Sequence, residues 1–262
     1  GEFIFYIENH LGKPVVAPTN EAFQPDLATL ENIITSRTRA VLVNSPNNPS
    51  GVLYPESTII ELGNLIRQKE EEYETEIFLI SDEPYRRIIF DDLSYPHIYT
   101  HHNASIAIQS HSKDLAVPGE RIGYISVNPS YSNKALLLDG LIFWNRSLGF
   151  VNAPAIMQQT ITTLQGLSVD VKEYQKKRDY LLTHMREIGY DIVRPQGAFY
   201  MFPKSPLEDD VAFVAALREW NVLTVPGRGF GKPGYFRIAY CVEDLVLEGA
   251  MAGFAKAAKT FT

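Results

Sequence analysis

The sequence predicts an α/β protein whose first part contains a mostly parallel sheet with flanking helices, followed by a smaller α+β domain. Short apolar runs rich in β-branched residues alternate along the 262 residues with longer amphipathic segments. Such runs are typical of strands that are buried on both faces of a parallel sheet. The alternation of the two kinds of segment indicates α/β as the fold class.

Three of the apolar runs lead directly into polar residues. These runs lie at 40–43, 77–80 and 105–108, and Asn44, Asp82 and Ser110 follow them at the predicted strand ends. In open α/β sheets, ligand-binding groups gather beyond the carboxyl ends of the strands. We therefore expect a site at this edge of the sheet.

The other elements follow in chain order. Strands are predicted around 13–18 and at 122–127, 199–202, 222–225 and 235–241, and helices at 55–72, 135–148, 169–188 and 245–254. The helix at 169–188 starts a second domain, so the predicted domains are 1–165 and 166–262.

Composition excludes several classes of protein. Lys and Arg number 24 against 31 Asp and Glu, a net charge of −7, and no basic run is present, so a nucleic-acid partner is not expected. A single cysteine, Cys241, excludes a disulfide scaffold and suits a reducing compartment. No apolar stretch reaches the length of a membrane span. These features predict a soluble, cytoplasmic protein without a membrane partner.

Lys113 stands in the most informative segment. Two hydroxyls, Ser110 and Ser112, precede it, and Arg121 follows eight residues later. Hydroxyls and a guanidinium together form a phosphate cradle. A lysine amine beside a bound phosphate indicates a Schiff base with pyridoxal phosphate. Alone, Lys113 would be interpreted as a solvated loop residue beside a Pro-Gly turn.

Other strand ends supply groups that this cofactor needs. Asp82 suits the ring nitrogen, which a carboxylate keeps protonated, while Tyr85 and Asn48 suit the ring hydroxyl. Each has a simpler interpretation when taken singly. Asp82 suits a helix cap, Tyr85 a core position, and residues 47–51 a turn.

Together these segments resemble a known family. Asn47-Asn48-Pro49-Ser50-Gly51, Asp82-Glu83-Pro84-Tyr85 and Ser110-x-Ser112-Lys113 with Arg121-x-Gly123 are similar to fold-type I pyridoxal-phosphate aminotransferases of class I/II, above all to the bacterial aspartate-aminotransferase-like members. The resemblance continues through 197–200 and 226–227 to Phe236-Arg237-Ile238, so it covers nearly the whole chain.

The resemblance implies a role for each matching residue. Lys113, Asp82 and Tyr85 are the catalytic candidates, and Lys113 carries the cofactor. The implied cofactor-binding residues are Asn48, Asp82, Tyr85, Ser110, Lys113 and Arg121, with Ser112 as a weaker candidate.

Substrate contacts are also implied. Arg237 would grip the substrate α-carboxylate beside Asn48. Arg146 is a weaker candidate for a substrate carboxylate across the interface of a homodimer, since an exposed arginine at a helix end is the simpler interpretation.

The implied reaction moves an amino group between an α-amino acid and a 2-oxo acid. Two alternatives stay open. A β-lyase or decarboxylase of the same fold uses the same lysine and aspartate, and a transcriptional regulator uses an aminotransferase-like domain as a sensor.

The sequence departs from the family pattern at its start. The N-terminal arm, the small-residue loop that binds the phosphate, the aromatic that stacks on the ring and the first two strands are missing, so we expect an incomplete large domain that starts at a truncated Gly1. Beside the strand that ends at Asn44, the sheet is then expected to have a gap, a new pairing or another chain. We expect the fragment to bind cofactor weakly and to turn over little or nothing.

Two further patterns are interpreted as structural. Residues 229–234 spell the dinucleotide motif G-x-G-x-x-G, but Pro233 intervenes and a strand follows, so a turn is predicted. His97, His101 and His102 lie in a predicted loop without a clear set of further ligands, so no metal site is expected.

Overall fold

The computed structural model describes residues 2–261. Its helices are α1 (Glu2–Asn9), α2 (Leu27–Ile33), α3 (Glu56–Tyr73), α4 (His111–Asp114), α5 (Lys134–Ser147), α6 (Ala155–Leu164), α7 (Val171–Ile188), α8 (Asp210–Glu219) and α9 (Asp244–Phe261). Its strands are β1 (Ala40–Asn44), β2 (Phe78–Asp82), β3 (Ser105–Ser110), β4 (Gly123–Val127), β5 (Tyr200–Met201), β6 (Val225–Pro226) and β7 (Phe236–Ala239). Gly1, the predicted truncated start, lies outside the described residues.

The first sheet has the strand order β1-β2-β3-β4. β1, β2 and β3 are parallel, and β4 is antiparallel to β3. The prediction of a mostly parallel sheet with flanking helices is therefore confirmed. Since the carboxyl ends of parallel strands share one edge, Asn44 and Asp82 end β1 and β2 opposite each other in register, and Ser110 ends β3 at the same edge.

The second sheet is antiparallel, with the order β5-β7-β6. Its strands are shorter than predicted. Val222 lies outside the sheet because its N–H donates to the carbonyl of Leu217 at 3.1 Å and so belongs to the turn that ends α8. Strand β6 therefore begins only at Val225.

The predicted strand around 13–18 is wrong. These residues are irregular and largely exposed, and only Thr19, just beyond them, forms an isolated bridge, with Pro25. A strand needs a neighbour for its backbone hydrogen bonds, and within residues 2–261 the only strand paired with β1 is β2. The expected gap beside β1 is therefore present as an open sheet edge.

Two apolar clusters form the core. One surrounds the first sheet and α3, whose Ile59, Leu62 and Ile66 are buried at helical spacing. The other lies among α7, α8, α9 and the second sheet, and it also includes Tyr85 and Phe90 from the loop after β2. The domain division at 165/166 stays a prediction, and this loop packs against the second predicted domain.

Helix α5 differs from the other long helices because none of its residues is buried. Its apolar side chains Leu136, Ile142, Phe143 and Trp144 are exposed, with Leu136 76% and Phe143 63% accessible. Exposed apolar patches of this kind mark interaction surfaces. Among the described helices, none is long and apolar enough to cross a bilayer.

Candidate active site

Asn44 joins two of the predicted site residues at the ends of β1 and β2. Its side-chain Nδ2 donates to both the carbonyl and Oδ2 of Asp82, each at 3.0 Å. Its Oδ1 accepts the backbone N–H of Asn48 at 2.8 Å. Sequence reasoning assigned no role to Asn44, although its position at a strand end, like that of Asp82, was the available signal.

The Asp82 carboxyl is half-buried, and its charge is unfavourable in the protein alone. Burial and the neighbouring Glu83 carboxylate raise the pKa of Asp82 to about 6, against the lowering effect of the Asn44 hydrogen bond. A cationic N–H group placed against this carboxylate would favour its ionised form. A positively charged partner beside Asp82 would therefore lower its raised pKa.

The turn at 47–51 fixes the direction of Asn48. Gly51 adopts φ +70°, and a Cβ there would lie 2.6 Å from Pro195 Cβ. The carbonyl of Gly51 accepts the backbone N–H groups of Gln196 and Gly197 at 2.8 and 2.9 Å. This turn therefore needs glycine and is bound to the segment that leads into β5. The peptide bonds before Pro46 and Pro49 are cis.

Arg237 on β7 reaches across to this turn. Its Nη1 donates to Asn48 Oδ1 at 2.9 Å. The guanidinium carbon lies 4.6 Å from the ring centroid of Tyr200 and 4.8 Å from that of Phe230. Its Nε is buried and has no hydrogen-bond partner within residues 2–261. The guanidinium is therefore held in place between the two rings and the Asn48 side chain.

Tyr85 forms a hydroxyl pair with Tyr200, whose oxygen lies 3.0 Å from its own. Phe199 packs edge-on against Tyr85, with ring centroids 5.4 Å apart. Burial, together with the Tyr200 hydroxyl, raises the pKa of Tyr85, so its phenol stays neutral and can donate a hydrogen bond. Tyr200 and Phe230 are site residues that sequence reasoning missed, since the resemblance covered Tyr200 without giving it a role.

Lys113 lies in the four-residue helix α4 directly after β3. Its Nζ is 5.8 Å from the centroid of the Phe199 ring. Phe199 thus contacts both the predicted lysine and Tyr85. The structure brings Lys113 to the same strand-end edge as Asp82.

The predicted phosphate-binding side chains form hydrogen bonds within their own turns. Ser110 Oγ accepts the N–H of Ser112 at 3.2 Å and donates to Ser112 Oγ at 2.8 Å, so it caps α4. Arg121 is exposed at φ +51°, and its Nη1 donates to the carbonyl of Pro118 at 2.8 Å. The pairing of Ser110 with Gly123 brings the backbones together. The joint phosphate role of these residues stays a prediction.

A cavity of about 670 Å³ lies beside the open edge of β1. Four predicted residues share its wall, namely Asn48, Asp82, Tyr85 and Arg237. Among the described residues, the wall does not include Lys113, Ser110, Ser112, Arg121 or Arg146. Arg146 lies in the exposed last turn of α5, and its proposed role across an interface stays a prediction.

The two patterns interpreted as structural have ordinary contacts. Residues 229–234 form a turn in which Gly231 adopts φ +77°, and β7 follows, so the predicted turn is confirmed. His102 donates through Nε2 to the carbonyl of Ile77 at 2.8 Å, and His101 Nε2 lies 3.4 Å from a Glu56 carboxylate oxygen.

Comparisons with known proteins place this site in context. The sequence model described as "Aminotransferase class I and II" matches residues 1–253. A probable aspartate/prephenate aminotransferase of Thermus aquaticus is 32% identical over 261 residues, covering 94% of this chain and 64% of the relative. A probable aspartate aminotransferase of Methanocaldococcus jannaschii is 32% identical over 241 residues, covering 88% and 62%.

Solved structures agree with these relatives. An aminotransferase from Eubacterium rectale superposes with a TM-score of 0.96 at 39% identity and covers all of this chain and 66% of its own. A mutant of Thermus thermophilus aspartate aminotransferase gives a TM-score of 0.80 at 28% identity and covers 94% and 68%. The chain thus spans about 64% of the length of the Thermus aquaticus relative. Since the family model matches residues 1 to 253, the chain belongs to the class I and II aminotransferase family.

Proposed function

We propose that the chain is the catalytic part of an aminotransferase that uses pyridoxal phosphate to move an amino group between an α-amino acid and a 2-oxo acid. The hydrogen bond of 2.9 Å between Arg237 and Asn48 carries this proposal. It joins residues that are 189 positions apart, and both line the cavity that Asp82 and Tyr85 also line. This supports the proposal, because a guanidinium suited to an anion and a carboxylate suited to a cationic ring line one cavity.

Asp82, Asn48 and Tyr85 suit the ring of pyridoxal phosphate. Asp82 is a carboxyl whose pKa of about 6 is set by burial, and a ring N–H cation compensates that burial. Asn48 Oδ1 accepts a hydrogen bond from Arg237, which leaves the two N–H donors of Asn48 Nδ2 for another acceptor. Together with the Tyr85 phenol, these donors suit the ring hydroxyl oxygen. When bound, the cofactor supplies an electron sink for the negative charge that forms at the substrate α-carbon.

The chain's own residues then have distinct tasks. Arg237 binds and orients the substrate α-carboxylate through its planar fork. Asp82 holds a proton at the ring nitrogen, since a buried anion favours the protonated form of a neighbouring base. Lys113 Nζ would hold the cofactor and would also move the proton that leaves the substrate α-carbon.

We infer in addition that the intact protein is a cytoplasmic homodimer. The exposed apolar side chains of α5 support the dimer, because a stable surface of that kind is normally covered by protein. Arg146 lies in the last turn of the same helix and is thereby a candidate for the partner's substrate. Loss of the dimer on Trp144→Asp, measured by light scattering, tests the inference. A monomeric unmutated protein would contradict it.

Covalent trapping tests the cofactor proposal directly. The purified chain is mixed with pyridoxal phosphate and reduced with borohydride, and the labelled peptide is identified by mass spectrometry. We expect the label on Lys113 and its loss in Lys113→Ala, whereas Lys134→Ala, which removes an exposed lysine, leaves it intact. Label spread evenly over the surface lysines would contradict the proposal.

The reaction class is tested by its products. With the full-length gene product, we expect isotopic nitrogen from the amino acid to appear in the amino acid formed from the added 2-oxo acid. Release of pyruvate with ammonia, or of carbon dioxide, would instead identify a β-lyase or a decarboxylase. Cofactor binding without turnover would favour the sensor.

A further inference from the structure

The short helix that carries Lys113 cannot orient itself. Helix α4 has only four residues, so it contains about one turn, which is too short to be stable alone. Its N-terminus is capped by Ser110, which fixes where it begins. Besides the contact of Lys113 with the Phe199 ring, its direction therefore depends on the contacts of its neighbours, His111 and Asp114, which are both buried.

Asp114 has partners on two further segments. Its carboxylate oxygens lie 3.3 Å from His111 Nδ1, and Oδ2 accepts from Gln109 Nε2 at 3.3 Å. Arg87, in the loop after β2, places Nε 3.9 Å from the same oxygen. A fully buried carboxylate is unfavourable unless such partners compensate it. These partners link the Lys113 helix to β3 and to the loop that follows Asp82.

Arg87 also binds the segment between α6 and α7. Its Nη1 donates to the carbonyl of Leu167 at 2.9 Å and its Nη2 to that of Gln165 at 2.7 Å. These carbonyls lie at the end of α6, where helix geometry leaves acceptors unpaired. The planar guanidinium therefore reaches the segment and Asp114 at once, which a lysine cannot do.

A backbone hydrogen bond also connects the segment between α6 and α7 to α4. The N–H of Val169 donates to the carbonyl of Asp114 at 2.7 Å. Residues 165–168 are otherwise exposed. The segment 165–169, where the predicted domains join, is thus attached to the residue after Lys113 through both a side chain and the main chain.

We propose that Asp114 is a positioning residue for Lys113 and that Arg87 couples the 165–169 segment to it. The proposal deepens the proposed function, because it assigns the group that aims the cofactor lysine. Movement of the segment between the two predicted domains then changes the direction of the Lys113 amine. Neither residue touches the reacting atoms.

The test uses lysine reactivity in the cofactor-free chain, so it does not depend on the proposed function. Asp114→Asn keeps the shape but removes the charge, and Arg87→Lys keeps the charge but removes the fork. The chain is acetylated with limiting acetic anhydride over a range of pH, and each lysine is followed by mass spectrometry. Lys69, which is buried, reports global opening, and Asp139→Asn, an exposed isosteric change, is the control.

We expect both variants to raise the acetylation rate of Lys113 by about threefold to tenfold, where tenfold corresponds to about 1.4 kcal/mol, with Lys69 unchanged. Cleavage by chymotrypsin after Leu167, which is 57% exposed, rises in parallel. Trapping of pyridoxal phosphate on Lys113 falls, since the amine is no longer aimed. The control variant changes none of these rates.

Two outcomes would overturn the proposal. Unchanged acetylation of Lys113 in both variants would show that its direction is set elsewhere. A joint rise of Lys113 and Lys69 would show that Asp114 only supports the fold. Failure of trapping in the unmutated chain, with the acetylation pattern as expected, would contradict the proposed function and leave the positioning role supported.

Discussion

The two sides of the candidate site are held in different ways. On the arginine side, defined by Asn48, Tyr85, Tyr200 and Arg237, side chains from distant segments bond to one another at 2.9–3.0 Å. On the lysine side, defined by Ser110, Lys113 and Arg121, polar groups bond within their own turns. The arginine side is therefore preorganised by packing, whereas the lysine side depends on the contacts behind it.

The difference follows from the elements that carry each side. Arg237 and Tyr200 are on paired strands of a sheet that covers an apolar cluster. Lys113 is on one helical turn, and Arg121 is on an exposed turn. Substitutions on the arginine side should consequently affect the stability of the fold more strongly than those on the lysine side.

The largest expected effect comes from removing the support of the arginine side. Phe236, next to Arg237 on β7, is fully buried against the rings of Tyr190, Phe213 and Phe254. Phe236→Ala should lower the free energy of unfolding by about 3–5 kcal/mol, measured by urea denaturation. Phe150→Ala is the control, since that side chain is 74% exposed. Similar losses in both variants would break the comparison.

The second-largest effect is expected from replacing Asp82, and it should raise the free energy of unfolding, not lower it. Its folded pKa of about 6 exceeds the ordinary 3.8, so the folded chain binds more protons than the unfolded chain between these values. Its contribution to stability is present below pH 4 and is lost as the pH rises through about 6. Asp82→Asn should therefore stabilise the cofactor-free chain at pH 7 by about 1–3 kcal/mol, at about 1.4 kcal/mol per pKa unit.

The check is the difference in unfolding free energy between Asp82→Asn and the unmutated chain at pH 4 and pH 7. The difference is needed because Asp91 acts in the other direction. Hydrogen bonds from Arg178 and Arg194 hold its pKa at about 2, so its contribution is lost as the pH falls. A difference that does not vary with pH would show that burial does not perturb Asp82.

The Tyr85–Tyr200 pair gives a smaller effect within the arginine side. A buried hydrogen bond contributes about 0.5–1.5 kcal/mol. Tyr85→Phe, Tyr200→Phe and the double variant should therefore show a coupling energy of that size in a double-mutant cycle of unfolding free energies. Additive losses would mean that the two hydroxyls at 3.0 Å do not act together.

The smallest effect is expected on the lysine side. Ser110 caps α4, and replacing such a cap by alanine costs about 0.5–2 kcal/mol in longer helices. Since α4 has four residues, we expect Ser110→Ala to fall at or below the lower limit. Ser132→Ala, at an exposed position, is the matched control for urea denaturation. A loss as large as that of Phe236→Ala would show that the lysine side affects the stability of the fold as strongly as the arginine side.

The sequence was sufficient to predict the family and the first sheet. Apolar runs and the strand-end motifs predicted three parallel strands and the residues that end them, and both the fold and the family are confirmed. The roles of Lys113, Asp82 and Arg237 stay predictions. The predicted strand at 13–18 failed because pairing depends on a neighbour, which local composition does not reveal.

Contacts between distant segments could not be predicted from the sequence. Asn44 was visible at a strand end, but its bonds to both Asp82 and Asn48 depend on the register of β1 and β2. Tyr200 and Phe230 enclose Arg237 only because separate turns place their rings on either side. Such positions follow from packing and leave no periodic signal along the chain.

The raised pKa of Asp82 has a consequence for the susceptibility of the chain to proteolysis. An unfavourable buried carboxylate increases the population of open forms, and proteolysis tracks that population when opening is fast. A cationic ligand that binds only the folded form at Asp82 divides that population by one plus the ratio of its free concentration to its dissociation constant. Such a ligand should therefore slow proteolysis of the chain where cleavage follows the population of open forms.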